Sequence, residues 1–247
     1  MILKTRAEIE KMRAAGRVLA STLREVSSQI APGVTPKHLD TLAHRLIESA
    51  GGVPSFLHYR GYPAATCISV NEVVVHGIPN DAPLAEGDII SLDFGVFLDG
   101  FHADSAWTFP VGEISAEAKR LLQVTEESLW EGIAMARSGS RLGDIGAAVQ
   151  RHVEAAGFGV VRDLVGHGIG RSLHEEPSVP NYGRPGKGPV LKEGATLCIE
   201  PMVNQGTYRV NQLADGWTIV TADGSLAAHF EHTVAVTDDG PEILTVE

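Results

Sequence analysis

Leu92-Asp93-Phe94-Gly95-Val96-Phe97-Leu98-Asp99-Gly100-Phe101-His102-Ala103-Asp104 is the stretch on which the reading of this chain turns. Two apolar runs flank Asp99-Gly100, a strong short-range signal for a two-residue hairpin turn. With those residues in the turn, Leu98 faces Phe101 and Gly95 faces Asp104. Side chains alternate along a strand, so Asp93 shares a face with Gly95 and becomes the diagonal neighbour of Asp104. Two carboxylates that close in an apolar hairpin repel each other unless water solvates both or a cation lies between them. The hairpin alone leaves both possibilities open.

The 247 residues can fold as one large domain or two small ones, with 43% hydrophobic and 21% charged residues, an ordinary globular composition. A net charge of −11 with no basic patch argues against a nucleic-acid surface. Met1-Ile2-Leu3-Lys4-Thr5-Arg6 lacks the apolar core of a signal peptide, and no apolar run approaches the ~20 residues of a membrane span. Cys67 and Cys198 are too few for a disulfide framework and read as small buried residues. A cytoplasmic protein is the expectation.

Thr5 and Glu8 form a capping-box pattern ahead of a helix with Ile9, Met12, Leu19, Leu23 and Val26 on one side. Thr35-Pro36 opens a second helix carrying Leu39, Leu42, Ala43, Leu46 and Ile47, which ends at Gly51-Gly52. From Ala65 to Val75 the pattern is β-like. After about residue 114 the programme repeats, with helices over Ser115–Arg137 and Gly139–Gly157. Ile145, Val149, Val153, Glu154, Ala156 and Gly157 match Leu39, Ala43, Ile47, Glu48, Ala50 and Gly51 at constant offset. His167-Gly168-Ile169 repeats His76-Gly77-Ile78, and Leu191-Lys192-Glu193-Gly194 repeats Leu84-Ala85-Glu86-Gly87. Carried forward, this alignment sets Glu200 on Asp93 and the strand of Glu231 on that of Asp104. Two half-domains of roughly 1–110 and 111–247, related by approximate symmetry around a shared centre within one domain of residues 1–247, are the expected organisation.

The residues brought to that centre are Asp93, Asp104, His167, Glu200 and Glu231. Four carboxylates and one imidazole make a hard, oxygen-rich donor set, unlike the thiolate clusters of structural zinc. So many anionic donors exceed what one open catalytic ion takes and suit two divalent ions, an arrangement that favours hydrolysis.

Several motifs in order now carry a resemblance that spans essentially the whole chain. They are Asn71-Glu72-Val73-Val74-Val75-His76-Gly77-Ile78-Pro79, the Asp93/Asp104 hairpin, Gly166-His167-Gly168-Ile169-Gly170-Arg171-Ser172-Leu173-His174-Glu175-Glu176-Pro177, Ile199-Glu200-Pro201-Met202 and Glu231-His232-Thr233. The chain resembles the methionine aminopeptidases of the short bacterial type I form. The resemblance implies the α/β "pita-bread" fold, with two pseudo-symmetric halves, a central curved antiparallel sheet and helices outside. It implies two divalent ions (Mn, Fe, Co or Zn) held by Asp93, Asp104, His167, Glu200 and Glu231, with Asp104 and Glu231 bridging, and leaves a monovalent-cation site near Asn71 and Val73 open. Water held between the ions would attack the carbonyl with Glu200 as general base, while His76 and His174 bond the scissile amide. Phe56, Tyr59, Tyr62, His76, Leu173, His174 and Trp217 match the substrate pocket. Relatives often have Cys at the Phe56 position and Phe at the Leu173 position, so volume moves from one pocket wall to the other.

The implied substrates are nascent chains that begin with methionine and continue with a small residue. The implied setting is a cytoplasmic monomer, with the ribosome an open partner and neither membrane nor nucleic acid bound directly. Xaa-Pro aminopeptidases and creatine-hydrolysing relatives carry an extra N-terminal domain, for which 247 residues leave no room. Type II enzymes need an insertion that the Glu200–Glu231 interval is too short to hold. A non-catalytic peptide-binding relative would have lost metal ligands, and here all five ligands stand, along with His76 and His174.

Overall fold

Asp99 and Gly100 both take left-handed backbone, φ 49° and 85°. The ten-residue strands they join, Ile89–Leu98 and Phe101–Pro110, pair in the register expected, Leu98 opposite Phe101 and Gly95 opposite Asp104. The structure is a computed structural model that describes residues 1–247. Alternation gives the hairpin two unlike faces. Ile90, Leu92, Phe94 and Val96 turn outward and are completely buried under helices α1 (Arg6–Ser27) and α2 (Pro36–Ser49), against Leu19, Val26, Leu39, Ala43 and Ile47. Ser91, Asp93 and Gly95 turn inward. A β-carbon on Gly95 would stand 2.7 Å from Ser55 Cβ and 2.8 Å from Phe56 Cε1, so only glycine lets the Ser55-Phe56 segment cross here.

The second half repeats the layout. Helices α3 (Ala116–Ala134) and α4 (Leu142–Ala155) follow, α3 capped by the Ser115 side chain. Leu121, Leu129, Ile133, Ile145, Val149 and Val153 cover Leu197 and Ile199 of the strand Thr196–Ile199 and Val234 and Val236 of the strand His232–Thr237. Alternation then sends Cys198 and, just past the strand end, Glu200 to the inner face. In one half Ile89–Leu98 lies between Cys67–Val70 and Phe101–Pro110; in the other Thr196–Ile199 lies between Gly166–Gly168 and His232–Thr237, all antiparallel. No helix is long and apolar enough to cross a membrane.

The symmetry is looser than the sequence matches imply. Ala106 is opposite Asp93, and Asp104 is opposite Gly95 two residues further along. In the second half His232 is opposite Ile199, which brings Glu231 level with Glu200. The repeated His-Gly-Ile triplets also occupy unlike positions. His167 sits within a strand, whereas His76 follows the strand Val73–Val75 with a left-handed φ of 58°.

Hydroxyl groups join the halves along the Phe101–Pro110 strand. The Asp104 amide donates to Thr233 Oγ1 (3.0 Å), and that hydroxyl donates to the Asp104 carbonyl (2.8 Å). The Ser105 hydroxyl donates to the Glu231 carbonyl at 2.6 Å, and the Glu231 amide donates to the Ala106 carbonyl at 2.8 Å. Thr233 is fully buried, so replacing it with its apolar isostere strands a backbone N–H beside Asp104. T233V is expected to lose ~2–4 kcal/mol, since each orphaned buried group costs ~1–3 kcal/mol. Urea unfolding of the two proteins, with m unchanged, measures the difference.

Candidate metal centre

Five strands or their ends aim side chains at one cavity of about 320 Å³ between the halves, and every candidate residue lines it. Asp93 and Asp104 come from the hairpin, Glu200 and Glu231 from the ends of the second half's central strands, and His167 from the strand beside them. The donor atoms of Asp104, His167, Glu231 and Cys198 all lie within 4.8 Å of one another, as do those of Glu200, Glu231 and His229. Glu231 belongs to both groups. His167 Nδ1 donates to the Gly168 carbonyl at 2.9 Å. That bond fixes the tautomer and leaves the Nε2 lone pair facing Glu200 Oε1 at 3.6 Å and Asp104 Oδ2 at 3.9 Å.

The chain itself does not neutralise these acids. Asp93 Oδ1, Asp104 Oδ1 and Glu231 Oε1 are buried with no hydrogen-bond partner. Burial, followed by repulsion from Asp104 and Glu200, pushes the Asp93 carboxyl well above its usual range. Burial and Asp104 do the same to Glu200 and Glu231, and burial raises Asp104 to about 7. The neighbouring imidazoles carry no compensating charge. Burial holds His167 at about 4 and His229 at about 3. The only guanidinium on the lining is the exposed Arg60, which lies over the Tyr59 ring at 5.4 Å. Orphaned carboxylate oxygens converging with an imidazole lone pair and no fixed cation fit divalent metal ions.

Two further histidines border the acids. His174 stacks on Tyr59, bonds its hydroxyl through Nδ1 at 2.9 Å, and packs against His167 with 4.2 Å between ring centres. Its loop is tied down by a buried ion pair between Lys4 and Glu175. His76 is pushed down by burial. Beyond them the cavity turns apolar. Tyr62 meets Trp217 edge-on at 5.1 Å, with Phe56, Leu173 and Tyr59 completing the wall.

The sequence reading overlooked Arg60, Asp163, Leu164, Met202 and His229 on this lining, and treated Cys198 only as a core residue. His229 had a readable signal, because it stands two residues from Glu231 on the same face of an extended segment. The residues around Asp163 lie in a loop whose course no local pattern announces.

Comparison with known proteins agrees with this geometry. Residues 10–238 match metallopeptidase family M24. The chain is 54% identical over 246 residues to the methionine aminopeptidase of Clostridium perfringens, covering 100% of this chain and 99% of that one. It is 53% identical over 245 residues to methionine aminopeptidase 1 of Bacillus subtilis, with 99% of each covered. The crystal structure of methionine aminopeptidase from Thermotoga maritima superposes with a TM-score of 0.98 at 50% identity over 100% of both chains.

The raised carboxyl values give the metal-free protein a signature. These acids bind protons more tightly folded than unfolded, so the stability they lend is full below their unfolded values. It is lost as pH rises through the folded values, about 7 for Asp104. The depressed imidazoles act oppositely, adding stability as pH climbs to their unfolded value of ~6.5. Above that point only the carboxyl loss remains. The Tm of metal-free protein should therefore fall as pH rises above about 6.5, and saturating Mn²⁺ should remove the fall. Thermal scans with and without Mn²⁺ check it, and a flat metal-free profile would contradict it.

Proposed function

The chain belongs to metallopeptidase family M24, and from that premise we propose that it is a methionine aminopeptidase of the short type I form. It removes the N-terminal methionine from peptides and new polypeptides whose second residue is small. The observation that carries the reading is the joining, in one cavity, of orphaned carboxylates from both halves, two neutral imidazoles and an aromatic recess. Because both halves supply acids, residues 1–110 and 111–247 work as a single catalytic unit. A monomer in the cytoplasm is sufficient for the chemistry.

Asp93, Asp104, His167, Glu200 and Glu231 would hold two divalent ions. Bound ions supply Lewis acidity and lower the pKa of water, in a mechanism class to which aminopeptidases are already assigned. Glu200 acts as general base, and its burial keeps it more basic than an ordinary carboxylate. It takes the proton of the attacking water and returns it to the departing amine. Burial, with neighbouring imidazoles second, holds His174 at about 3, so it stays neutral at working pH. With Nδ1 accepting from the Tyr59 hydroxyl, its Nε2–H donates to the scissile amide, stabilising the charge that develops there. His76 provides a second polar contact on the same bond. A methionine thioether packs well against the aromatic edges of Tyr62, Trp217 and Phe56. The same wall accounts for Phe56 and Leu173 accepting methionine with their sizes exchanged.

Free methionine is expected from Met-Ala-Ser but not from Met-Leu-Ser in the presence of Mn²⁺ or Co²⁺, with release abolished by a chelator. Release from neither peptide by folded, metal-loaded protein would move the reading to a peptide-binding relative. E200A should lower kcat by ~10²–10⁴. H174A should lower it by ~10² while metal content is unchanged. Full activity in E200A would remove Glu200 from its role.

A further inference from the structure

His229 has a place at this centre that neither its sequence context nor the metal assignment explains. Its ring is 2% exposed, and Nε2 is buried without a partner. The nearest acidic atoms are Glu200 Oε2 at 3.7 Å and Glu231 Oε2 at 4.0 Å. The backbone that carries the ring is pinned, because Thr108 Oγ1 accepts from the His229 amide and donates to its carbonyl, both at 2.9 Å. Met202, two residues past Glu200, pairs with His229 in the adjoining strand.

Glu200 is therefore bracketed by two imidazoles, Oε1 toward His167 and Oε2 toward His229. The two rings differ in what sets their protons. His167 spends its N–H on the Gly168 carbonyl and turns a lone pair to the cavity. At His229, Nε2 has no hydrogen-bond partner of its own, and the acidic oxygens nearest it are those of Glu200 and Glu231. A lone pair there would face two anions, whereas an N–H gains a charge-assisted bond. Such bonds are often long in an unloaded site and tighten in the working complex.

We propose that His229 is a positioning residue: its Nε2–H holds Glu200 Oε2, fixing the rotation of that carboxylate so that the other oxygen stays aimed at the reacting centre. The inference rests on Glu200 being the base. It predicts a change in turnover rather than in substrate or metal binding.

The test compares wild-type, H229A, H229N and H229Q proteins by kcat and KM on Met-Ala-Ser, by Co²⁺ affinity in calorimetry, and by the visible spectrum of the Co²⁺ form. Losing one charge-assisted bond should lower kcat of H229A about 10- to 100-fold, with KM and Co²⁺ affinity within about threefold. Glutamine carries an amide N–H to nearly the same reach as Nε2, so H229Q should recover most of the loss. Asparagine is too short, and H229N should behave like H229A. The inference is overturned by unchanged kcat in H229A, by H229Q no better than H229A, or by a Co²⁺ affinity loss of about tenfold or more with an altered spectrum, which would make His229 a ligand. A readout independent of turnover is the ¹⁵N spectrum of histidines in the Zn²⁺-loaded wild type, assigned with H229Q. A protonated Nε2 at His229 supports the inference and a metal-bound or bare nitrogen overturns it. Wild-type protein that bound Zn²⁺ yet released no methionine would count against the function and leave this spectrum decisive for His229.

Discussion

Four carboxylates share one cavity, and the chain supplies no fixed cation to balance them. Keeping four buried acids that close without a counter-ion is the constraint on which the rest of the structure depends. Burial of an isolated carboxylate costs several kcal/mol even after relaxation, so burial favours the protonated acids until a cation takes the protons' place, and the surrounding fold must hold the acids together meanwhile. It does so by giving each central strand two unlike faces. The outer faces of Ile89–Leu98 and Thr196–Ile199 are continuous apolar rows under paired helices. The burial of those rows offsets the strain that the inner faces impose.

Position matters as much as stability. Asp93 and Asp104 sit within strands and Glu200 and Glu231 directly at strand ends, and the strands of the two halves are cross-linked by the Thr233, Ser105 and Thr108 hydroxyls. Gly95 contributes by absence. Without a side chain there, Phe56 can close over the hairpin beside Asp104 and wall the apolar recess. The acid cluster and the apolar recess thus share one strand, and a change that loosens the junction between halves should disturb both.

Much of this was legible in the sequence because the responsible rules are local. Asp99-Gly100 announces its turn, and alternation from that turn puts Asp93 and Asp104 on one face. The capping residues Thr5 and Thr35 mark helix starts that the structure confirms. The duplication was legible at the level of elements but not of register, because a one- or two-residue slip between matched strands leaves the hydrophobic pattern intact. The equivalence of the two His-Gly-Ile triplets failed for the same reason. His229 was missed although period-2 alternation from Glu231 reaches it. The residues around Asp163 were missed because loop paths depend on contacts that sequence order does not encode.

Acids held protonated by burial must release protons when a cation takes their place. Calorimetric titration of the metal-free protein with Mn²⁺ at pH 7, run in two buffers of different ionisation enthalpy, counts those protons. The account predicts binding accompanied by release of more than about one proton per chain, given Asp104 at about 7 and the other three acids pushed up beside it. Binding with no proton release, or no binding, would contradict the claim that this buried acidic cluster is completed by divalent metal.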